Sequence, residues 1–354
     1  MYKFLLRILP SQASHILTLG HVRRNTSGSD MQRYDRNRQW SRVKADGQGG
    51  GHRFNKDSSF KILSYNILAQ DLLIEHFYLY GENATNCLNW RRRLQNIQRE
   101  ILTLDPDILC LQEMQYDHIH DLMHGLRLGN QHRRLEYIYK KKTGHRTDGC
   151  AIIYDACKFQ LLDRRPVELY DVNVKLLNRQ NVALFAKLAL KGQPQKEFIV
   201  ATTHLLYNPK RDDVRCAQVT RLLEQLQSFS VDPKSGQTTP IVLTGDFNSL
   251  ADTLPMEVLT APTSGGDGPA QLLQFENLYM GPPVPQLAAS TRQDPGWIIV
   301  DYILRSISDK STHKLQPFSV YDLPMVSDCH RIGPIPNHYL GSDHYSLGAL
   351  FSIV

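Results

Sequence analysis

The sequence predicts a layered α/β fold, in which buried strands alternate with helices that pack on a sheet. Two observations support this fold class. A strand-type segment at 60–66 is followed by apolar residues at helical spacing and then by a second apolar strand at 108–111. Several apolar strands also end in amide or acidic residues, as at Asn66 and Glu113. With 354 residues, of which 41% are hydrophobic, the chain can bury a large core.

Folded character begins with the strand at 60–66. The predicted helix after it ends at Asp105-Pro106, because proline cannot continue a helix. The inward face of this helix consists of Trp90, Leu94, Ile97, Ile101 and Leu104. The strand at 108–111 comes next and leads into Gln112 and Glu113, and a weaker helix is predicted at 116–128.

Four more strands are predicted in the middle of the chain, at 135–140, 149–154, 181–190 and 197–203. The last of these strands ends in Thr-Thr-His, which places His204 at its carboxyl end. A helix is predicted from 212 to 229, with its apolar residues at helical spacing.

The apolar run at 240–244 ends at Gly245 and is followed by Asp246, Phe247 and Asn248. Because alternate strand residues point to the same face, Asp246 and Asn248 can share a cavity while Phe247 packs in the core. The same four residues also suit a turn, since Asp and Asn cap turns and glycine accepts a positive φ. The other polar strand ends favour the interpretation as the rim of an active site.

The C-terminal part combines a long loop with two strands. A short helix is predicted after Asn248, followed by a Gly/Pro-rich loop at 262–296. Strands are predicted at 297–304, which contains Asp301, and at 345–353, which follows Asp343 and His344. We expect the loops at 130–146 and 262–296 to influence the choice of substrate, because long loops near a site are often functional.

The first 58 residues are predicted to be a leader and flexible linker, ahead of a catalytic domain at 59–354. They contain 11 of the 41 Lys and Arg residues and 4 of the 35 Asp and Glu residues, which leaves 30 basic and 31 acidic residues beyond them. Residues 1–29 are basic, apolar and free of acids, as in a mitochondrial transit peptide. An unstructured basic tail on a cytoplasmic protein is the alternative. The glycine-containing residues 30–58 are typical of a linker.

Composition excludes several classes of protein. No segment approaches eighteen consecutive apolar residues, so neither a membrane span nor a membrane partner is expected. The six cysteines form no C-x-x-C pair, which argues against a zinc ribbon and a disulfide framework. One basic cluster with interleaved tyrosines is typical of a platform for single-stranded RNA, with a solvated surface as the alternative. Its candidate RNA-binding residues are Tyr137, Tyr139, Lys140, Lys141, Lys142 and Arg146.

Polar residues recur after the apolar strands, where isolated buried charges would cost several kcal/mol. We therefore expect these residues to converge on one pocket. They are Asn66, Glu113, Asp148, His204, Asn208, Asp246, Asn248, Asp301, Asp343 and His344. Oxygen ligands without cysteine suit Mg²⁺, or Mn²⁺, rather than zinc.

The order of these motifs resembles the signature of the endonuclease/exonuclease/phosphatase superfamily. The matching motifs are Ser-Tyr-Asn66, Leu-Gln-Glu113, Thr-His204, Gly-Asp246-Phe-Asn248, Val-Asp301-Tyr and Ser-Asp343-His344. Residues 64–73, 146–151 and 203–209 further resemble the Angel branch of its deadenylase/nocturnin group. The resemblance extends from about residue 60 to the C-terminus. It implies a four-layer α/β sandwich, with two packed mixed sheets flanked by helices and the site at one end.

The resemblance also implies roles for the polar residues. Glu113 would be the direct ligand of the metal, with Asn66 beside it and Asp343 in its outer sphere. Asp246 would hold and deprotonate the attacking water. The expected contacts to the water or the phosphate come from Asn248, from His344 oriented by Asp301, and from His204 and Asn208.

The function that the resemblance implies first is Mg²⁺-dependent hydrolysis of terminal 2′,3′-cyclic phosphates on single-stranded RNA 3′ ends, leaving 2′,3′-hydroxyls. Two alternatives stay open, a 3′→5′ poly(A)-directed exoribonuclease (an mRNA deadenylase) and a weakly catalytic RNA-binding scaffold. A nucleotide phosphatase is a lesser alternative. No leucine-rich-repeat region precedes the domain, so docking to the large deadenylase complex is not expected. We expect a monomer.

Overall fold

Two mixed β-sheets pack face to face in the computed structural model of the chain, which describes residues 38–43, 55–261, 273–280, 287–293, 296–308 and 310–354. The strands are, in chain order, β1 (Trp40–Arg42), β2 (Ser59–Asn66), β3 (Ile108–Gln115), β4 (Leu135–Lys141), β5 (Asp148–Asp155), β6 (Phe159–Glu168), β7 (Val182–Leu190), β8 (Gln193–His204), β9 (Ile241–Asp246), β10 (Gln274–Asn277), β11 (Thr291–Gln293), β12 (Gly296–Ile298), β13 (Asp301–Ile307), β14 (Leu315–Tyr321) and β15 (Leu347–Ile353). The α-helices are α1 (Gln70–Glu75), α2 (Trp90–Leu104), α3 (Ile119–Gly129), α4 (Asp212–Ser230), α5 (Leu254–Thr260) and α6 (Val326–Ile332).

The first sheet has the order β1-β14-β15-β2-β3-β5-β4, and the second has the order β10-β13-β9-β8-β7-β6. Only β2 with β3 and β8 with β9 pair in parallel; every other pairing within these two sheets is antiparallel. A parallel pair brings two carboxyl ends to the same edge of its sheet. Strands β11 and β12 form a separate two-stranded sheet.

Alternation along β2 explains why this strand is buried on both faces. Phe60 and Ile62 point into the core between the two sheets, and Phe60 stacks on Phe198 of β8 with 4.5 Å between ring centroids. Leu63 and Tyr65 pack on the other face with the apolar residues of α2 and α3. Helix α4 covers the outer face of the second sheet with apolar residues of the same core. The predicted four-layer α/β sandwich is therefore confirmed.

Several predicted elements have different bounds in the structure. The predicted strand at 297–304 is divided into β12 and β13, and between them Val300 N donates to Ser290 Oγ at 3.0 Å. The predicted loop at 262–296 contains β10 and β11, and its residues 262–272, 281–286 and 294–295 lie outside the described residues. Strand β6 was not predicted because it is an edge strand with exposed charges and a proline at Pro166.

The predicted linker at 30–58 is wrong for residues 38–43, which belong to the fold. Strand β1 pairs with β14 at the edge of the first sheet. Arg38 is buried, its Nε donates to Asp322 O at 2.8 Å, and its guanidinium lies 4.1 Å from the centroid of the Tyr321 ring. The folded unit therefore includes residues before 59.

Residues 1–37, which contain the predicted transit peptide at 1–29, lie outside the described residues. Within the described ranges, no helix has the length and apolar character needed to cross a membrane.

Candidate active site

The polar strand ends gather at one end of the sandwich, where the two sheets face each other. In the second sheet Asp301, Asp246 and His204 occupy neighbouring register positions on β13, β9 and β8. From the first sheet, Asn66 Nδ2 donates to Asp246 Oδ2 at 3.0 Å. This hydrogen bond joins the two sheets, and it places the amide of β2 opposite the row of groups on the second sheet.

Glu113 reaches this site through a β-bulge. Leu109 and Leu111 of β3 point to the helix side of the first sheet, and continued alternation would send Glu113 to the same side. The register with β5 shifts between Leu111 and Met114, so β3 holds one extra residue there. Glu113 Oε1 consequently accepts from Asn66 Nδ2 at 3.0 Å. The bulge thus redirects the carboxylate from the helix side of the sheet into the site.

Strained backbone is concentrated around this site. Leu68, Glu113 and Asn248 have φ values of 58°, 56° and 48°, in the left-handed region that L side chains rarely adopt. Gly245 has φ 151°, and a Cβ at this position would lie 2.2 Å from Thr203 O, so only glycine fits before Asp246. Such strain persists only where the surrounding structure holds it, and it is frequent at active sites.

Asn66 holds two carboxylates of the site in place. Its Nδ2 donates to both Glu113 Oε1 and Asp246 Oδ2, each at 3.0 Å. Its Oδ1 accepts from Leu68 N at 3.1 Å, which fixes the orientation of the amide. The amide thus bridges Glu113 and Asp246, and the expected place of Asn66 beside the metal remains a prediction.

His344 is held as a cation by the carboxylates around it. Its Nδ1 lies 2.9 Å from Asp301 Oδ2, and its Nε2 lies 3.8 Å from Asp246 Oδ2. Burial lowers the pKa of the imidazole, but Asp301, followed by Asp246 and Asp343, outweighs burial and raises the pKa well above its usual value. His344 is therefore protonated near neutral pH and can donate from Nε2 to an anionic oxygen.

Asp246 lies at the centre of the site and is a weak acid. Burial, and next the negative charge of Asp301, raises its pKa to about 7. Its Oδ1 accepts from Asn248 N at 2.9 Å, and Asn248 Nδ2 donates to Leu205 O at 3.0 Å. Phe247 packs in the core as predicted, fully buried between these two polar residues. A fixed carboxylate with a pKa near neutrality suits a general base.

The carboxylates of the site fit a divalent cation. Burial, and next the negative charge of Asp343, raises the pKa of Glu113, so these acids repel one another without a counterion. Asp246, Asp301 and His344 each offer a ligand atom within 4.8 Å of the others. A protonated His344 is a poor metal ligand, however, and its Nδ1 is already hydrogen-bonded to the carboxylate of Asp301. The oxygen atoms of Glu113 and Asp343 are therefore the better candidates for a hard cation.

Lys142, one of the candidate RNA-binding residues, lies in this site. Its Nζ lies 2.7 Å from Asp148 Oδ2 and 3.4 Å from His204 Nδ1. Burial lowers the pKa of Lys142, but Asp148 and Glu113 together raise it by more, so the ammonium stays charged. Burial, and next Lys142, lowers the pKa of His204 well below its usual value. Because an ammonium only donates, the neutral His204 carries its proton on Nε2, 3.7 Å from Asp246 Oδ2.

Lys142→Met is expected to lower the free energy of unfolding by about 3 kcal/mol, because Asp148 then stays buried without its counterion. Adding Asp148→Asn should recover most of that free energy in urea titrations, since the buried charge is removed. We expect phosphoesterase activity to stay low in both variants, because His204 has lost the donor that sets its tautomer. Full activity in the double variant would show that Lys142 has only a structural role.

Arg93 stabilises the backbone next to the site, and the sequence analysis does not include it among the site residues. It is fully buried, and its guanidinium donates to Ile67 O, Leu68 O and Gly341 O at 3.0, 2.8 and 3.1 Å. It therefore ties the segment after β2 to the segment before β15. The available signal was its place on the inward face of the predicted helix, three residues after Trp90. A charged residue at such a position requires buried partners.

Tyr80→Phe is expected to weaken metal binding about tenfold with little change in fold. The Tyr80 hydroxyl donates to Asp343 Oδ2 at 2.7 Å and thereby orients that carboxylate. The readout is the Mg²⁺ concentration needed for half-maximal activity, which should rise while the maximal rate recovers at high Mg²⁺. Tyr154→Phe is the matched control, because Tyr154 donates to Glu136 at 3.0 Å at the other end of the sheet. If Tyr154→Phe raised the required Mg²⁺ concentration equally, the effect of Tyr80→Phe could not be attributed to the orientation of Asp343.

The structure leaves two sets of predicted site residues outside the polar cluster. Asn208 is exposed, and its Oδ1 accepts from Lys210 N at 3.0 Å within its own loop. The basic cluster is divided among local contacts. Lys140 pairs with Glu168, and Arg146 pairs with Glu75. Lys141 Nζ donates to backbone carbonyls of its loop, and Tyr139 Oη donates to Met114 O. Tyr137 stays partly exposed. RNA binding by these residues remains a prediction.

Comparison with known proteins assigns the fold and the motifs to a family. The model of the endonuclease/exonuclease/phosphatase family matches residues 63–344. Protein angel of Drosophila melanogaster is 57% identical over 325 residues, covering 91% of this chain and 88% of that protein. Human Protein angel homolog 2 is 41% identical over 199 residues, covering 54% of this chain and 35% of that protein.

Two solved structures extend this comparison. The crystal structure of ANGEL2, described as a 2′,3′-cyclic phosphatase in complex with adenosine-2′,3′-vanadate, superposes with a TM-score of 0.73 at 29% identity. The alignment covers 89% of this chain and 98% of that chain. The human Nocturnin catalytic domain with bound sulfate gives a TM-score of 0.62 at 25% identity, covering 90% and 97%. The chain therefore belongs to the endonuclease/exonuclease/phosphatase family, and within it to the Angel proteins.

Proposed function

We propose that the protein is a divalent-metal-dependent phosphoesterase that removes terminal 2′,3′-cyclic phosphates from RNA 3′ ends. The observation that carries this proposal is the arrangement around Asp246. This carboxylate has a pKa near neutrality and lies within 3.8 Å of both a protonated His344 and a neutral His204. The similarity to ANGEL2 supports the choice of a cyclic phosphate as the substrate.

Glu113 and Asp343 would hold the cation, most simply Mg²⁺. A bound cation would stabilise the negative charge that develops on a phosphate oxygen during hydrolysis. The protein's own contribution is to keep the carboxylates in place. Asn66 bridges Glu113 and Asp246, and Tyr80 orients Asp343. A preorganised site of this kind requires little rearrangement when the substrate binds.

Asp246 is the proposed base for the attacking water. Its Oδ1 is fixed by Asn248 N and its Oδ2 by Asn66, so the carboxylate cannot rotate away from the water. The water oxygen forms a new bond to phosphorus, its proton passes to Asp246, and the bond from phosphorus to one ribose oxygen breaks. The departing oxygen gains a proton, which leaves a phosphomonoester on the other ribose oxygen. A second hydrolysis releases phosphate and leaves both hydroxyls.

The two histidines are the proposed donors to the phosphate oxygens. His344 donates as a cation from Nε2, while Asp301 on Nδ1 holds the ring in place. His204 donates as a neutral ring from Nε2, since its Nδ1 faces Lys142. If Asn248 also turns its amide to the phosphate, one cationic and two neutral donors would contact it. Charged hydrogen bonds to an oxyanion are the stronger ones, so His344 should contribute most.

A paired assay with the full chain tests this function. Two end-labelled RNAs of the same sequence would carry a 2′,3′-cyclic phosphate or a hydroxyl-terminated A-tail, each with Mg²⁺ and with EDTA. We expect loss of the phosphate at constant RNA length, only with Mg²⁺. Progressive shortening of the A-tail would instead make the protein a 3′→5′ exoribonuclease. Binding of RNA without either reaction would favour a scaffold.

A further inference from the structure

An exposed apolar segment lies at the rim of the site. We call residues 74–79 the rim segment. Its large apolar side chains are strongly exposed, with Ile74 at 62%, Phe77 at 50%, Tyr78 at 76% and Leu79 at 59% of their full surface. Four such side chains occur within six residues, whereas single exposed apolar residues need no explanation. The mechanism proposed above uses none of these four residues.

The rim segment is continuous with the catalytic cluster. Residues Phe77–Tyr80 form a short 3₁₀-helix, and Tyr80 at its end donates to Asp343 Oδ2 at 2.7 Å. A 3₁₀-helix has three residues per turn, so residues three apart lie on the same side. Phe77 therefore lies on the side of the helix that Tyr80 turns towards Asp343. A half-exposed aromatic ring is therefore one helical turn away from the tyrosine that orients Asp343.

Ion pairs tie the rim segment, and the residues that follow it, to other loops of the site. Arg146 Nη1 lies 3.0 Å from Glu75, and Arg146 comes two residues before Asp148. Arg292 Nη1 lies 2.9 Å from Glu82. The neighbouring Thr291 donates from Oγ1 to the backbone oxygen of Asp343 at 2.8 Å. The segment is thus held between two loops that reach the active site, with a guanidinium on each side.

We propose that Phe77 and Tyr78 form a stacking surface for the bases of the nucleotides that precede the RNA 3′ end. This inference rests on the proposed function, because it takes the occupant of the surface to be the substrate of the neighbouring site. An RNA whose terminal phosphate lies at Asp246 must leave the site over its rim. Exposed aromatic rings beside arginines are the combination that binds single-stranded nucleic acid, since every base offers a face for stacking.

Base stacking predicts a dependence on the bases themselves at constant charge. The full chain would be titrated by fluorescence anisotropy against a labelled single-stranded RNA and against the same backbone with abasic sites before the 3′ end. We expect the wild-type protein to bind the RNA with bases about tenfold more tightly. Phe77→Ser/Tyr78→Ser should abolish this preference. The salt dependence should stay unchanged, because the phosphate contacts are the same.

Leu162→Ser/Ile307→Ser provides a matched control, since it removes two exposed apolar side chains at the other end of the second sheet. This control should keep the preference for bases. Phe77→Leu/Tyr78→Leu provides a second variant that retains apolar bulk but lacks the rings, and it should also lose the preference. A preference that survives both Phe77/Tyr78 variants would overturn the proposal and leave the rim segment as a surface for a protein partner.

Activity separates this inference from the proposed function. The substrates are an RNA with a terminal 2′,3′-cyclic phosphate and adenosine 2′,3′-cyclic phosphate, which has no preceding nucleotide. We expect Phe77→Ser/Tyr78→Ser to lower the ratio of kcat/KM for the RNA to kcat/KM for the mononucleotide about tenfold. An unchanged ratio would contradict the stacking surface. If the wild-type protein hydrolyses neither substrate, the proposed function fails, and the abasic comparison alone decides the stacking surface.

Discussion

Asp246→Asn is expected to lower the rate of phosphoester hydrolysis about a thousandfold, because an amide cannot accept the proton of the attacking water. The loss should appear in single-turnover measurements at saturating Mg²⁺, where binding and product release do not limit the rate. The substitution keeps the shape of the side chain and the hydrogen bond from Asn248 N to Oδ1. A residual rate within tenfold of the wild type would exclude Asp246 as the base.

The same variant should be at least as stable as the wild type in the absence of metal. The pKa of Asp246 is raised to about 7 in the folded protein, whereas an unfolded aspartate titrates near 4. Since the folded state disfavours the charged form, the stability of the metal-free wild type should fall as the pH rises from about 4 through 7. Asp246→Asn has no ionisable group at this position, so it should not show this pH-dependent loss of stability. Urea titrations at several pH values would measure the difference, and a large destabilisation at pH 8 would contradict the pKa argument.

Glu113→Gln is expected to abolish metal-dependent turnover while leaving the protein folded. Glu113 is the carboxylate that the bulge of β3 turns into the site, and its Oε2 already accepts from Ala69 N at 2.9 Å. A neutral amide removes the negative charge that would bind the cation but preserves the size of the side chain. We expect a loss of about a thousandfold or more in kcat, comparable to the removal of strong electrostatic stabilisation.

Thermal unfolding provides a readout of the cation that does not depend on activity. Mg²⁺ at a hundred times its Kd should stabilise the wild type by about 2.7 kcal/mol, which raises Tm by several degrees. Glu113→Gln should lose this shift. Glu136→Gln is a matched control, because Glu136 lies on β4 towards the other end of the first sheet and should retain both the shift and the activity. A full Mg²⁺ shift in Glu113→Gln would move the cation site elsewhere.

Much of the fold can be predicted from the sequence, because its strongest signals are local. The strand at 60–66, the helix beginning at Trp90 and the strand before Asp246 all follow from apolar periodicity and from nearby Gly and Pro residues. Phe247 is buried next to Asp246 and Asn248 as predicted, although β9 ends at Asp246 and Asn248 has a left-handed φ, so strand alternation is not the cause. Edge strands were harder to predict. Strand β1 and strand β6 each pair with one neighbour only, so their burial and apolar patterns are weak.

The sequence by itself determined which residues reach the ends of the buried strands, and therefore that Asn66, Asp246, Asp301 and His344 share one end of the molecule. Only the tertiary structure decided how these groups face each other. Glu113 enters the site through an extra residue in β3, whose register depends on pairing with β5. Lys142 lies in a basic run of the sequence, yet in the structure it contacts the buried Asp148 and His204, which is 62 residues away in the chain. Local periodicity arises from neighbouring residues of the chain, whereas bulges and buried ion pairs depend on partners brought together by folding.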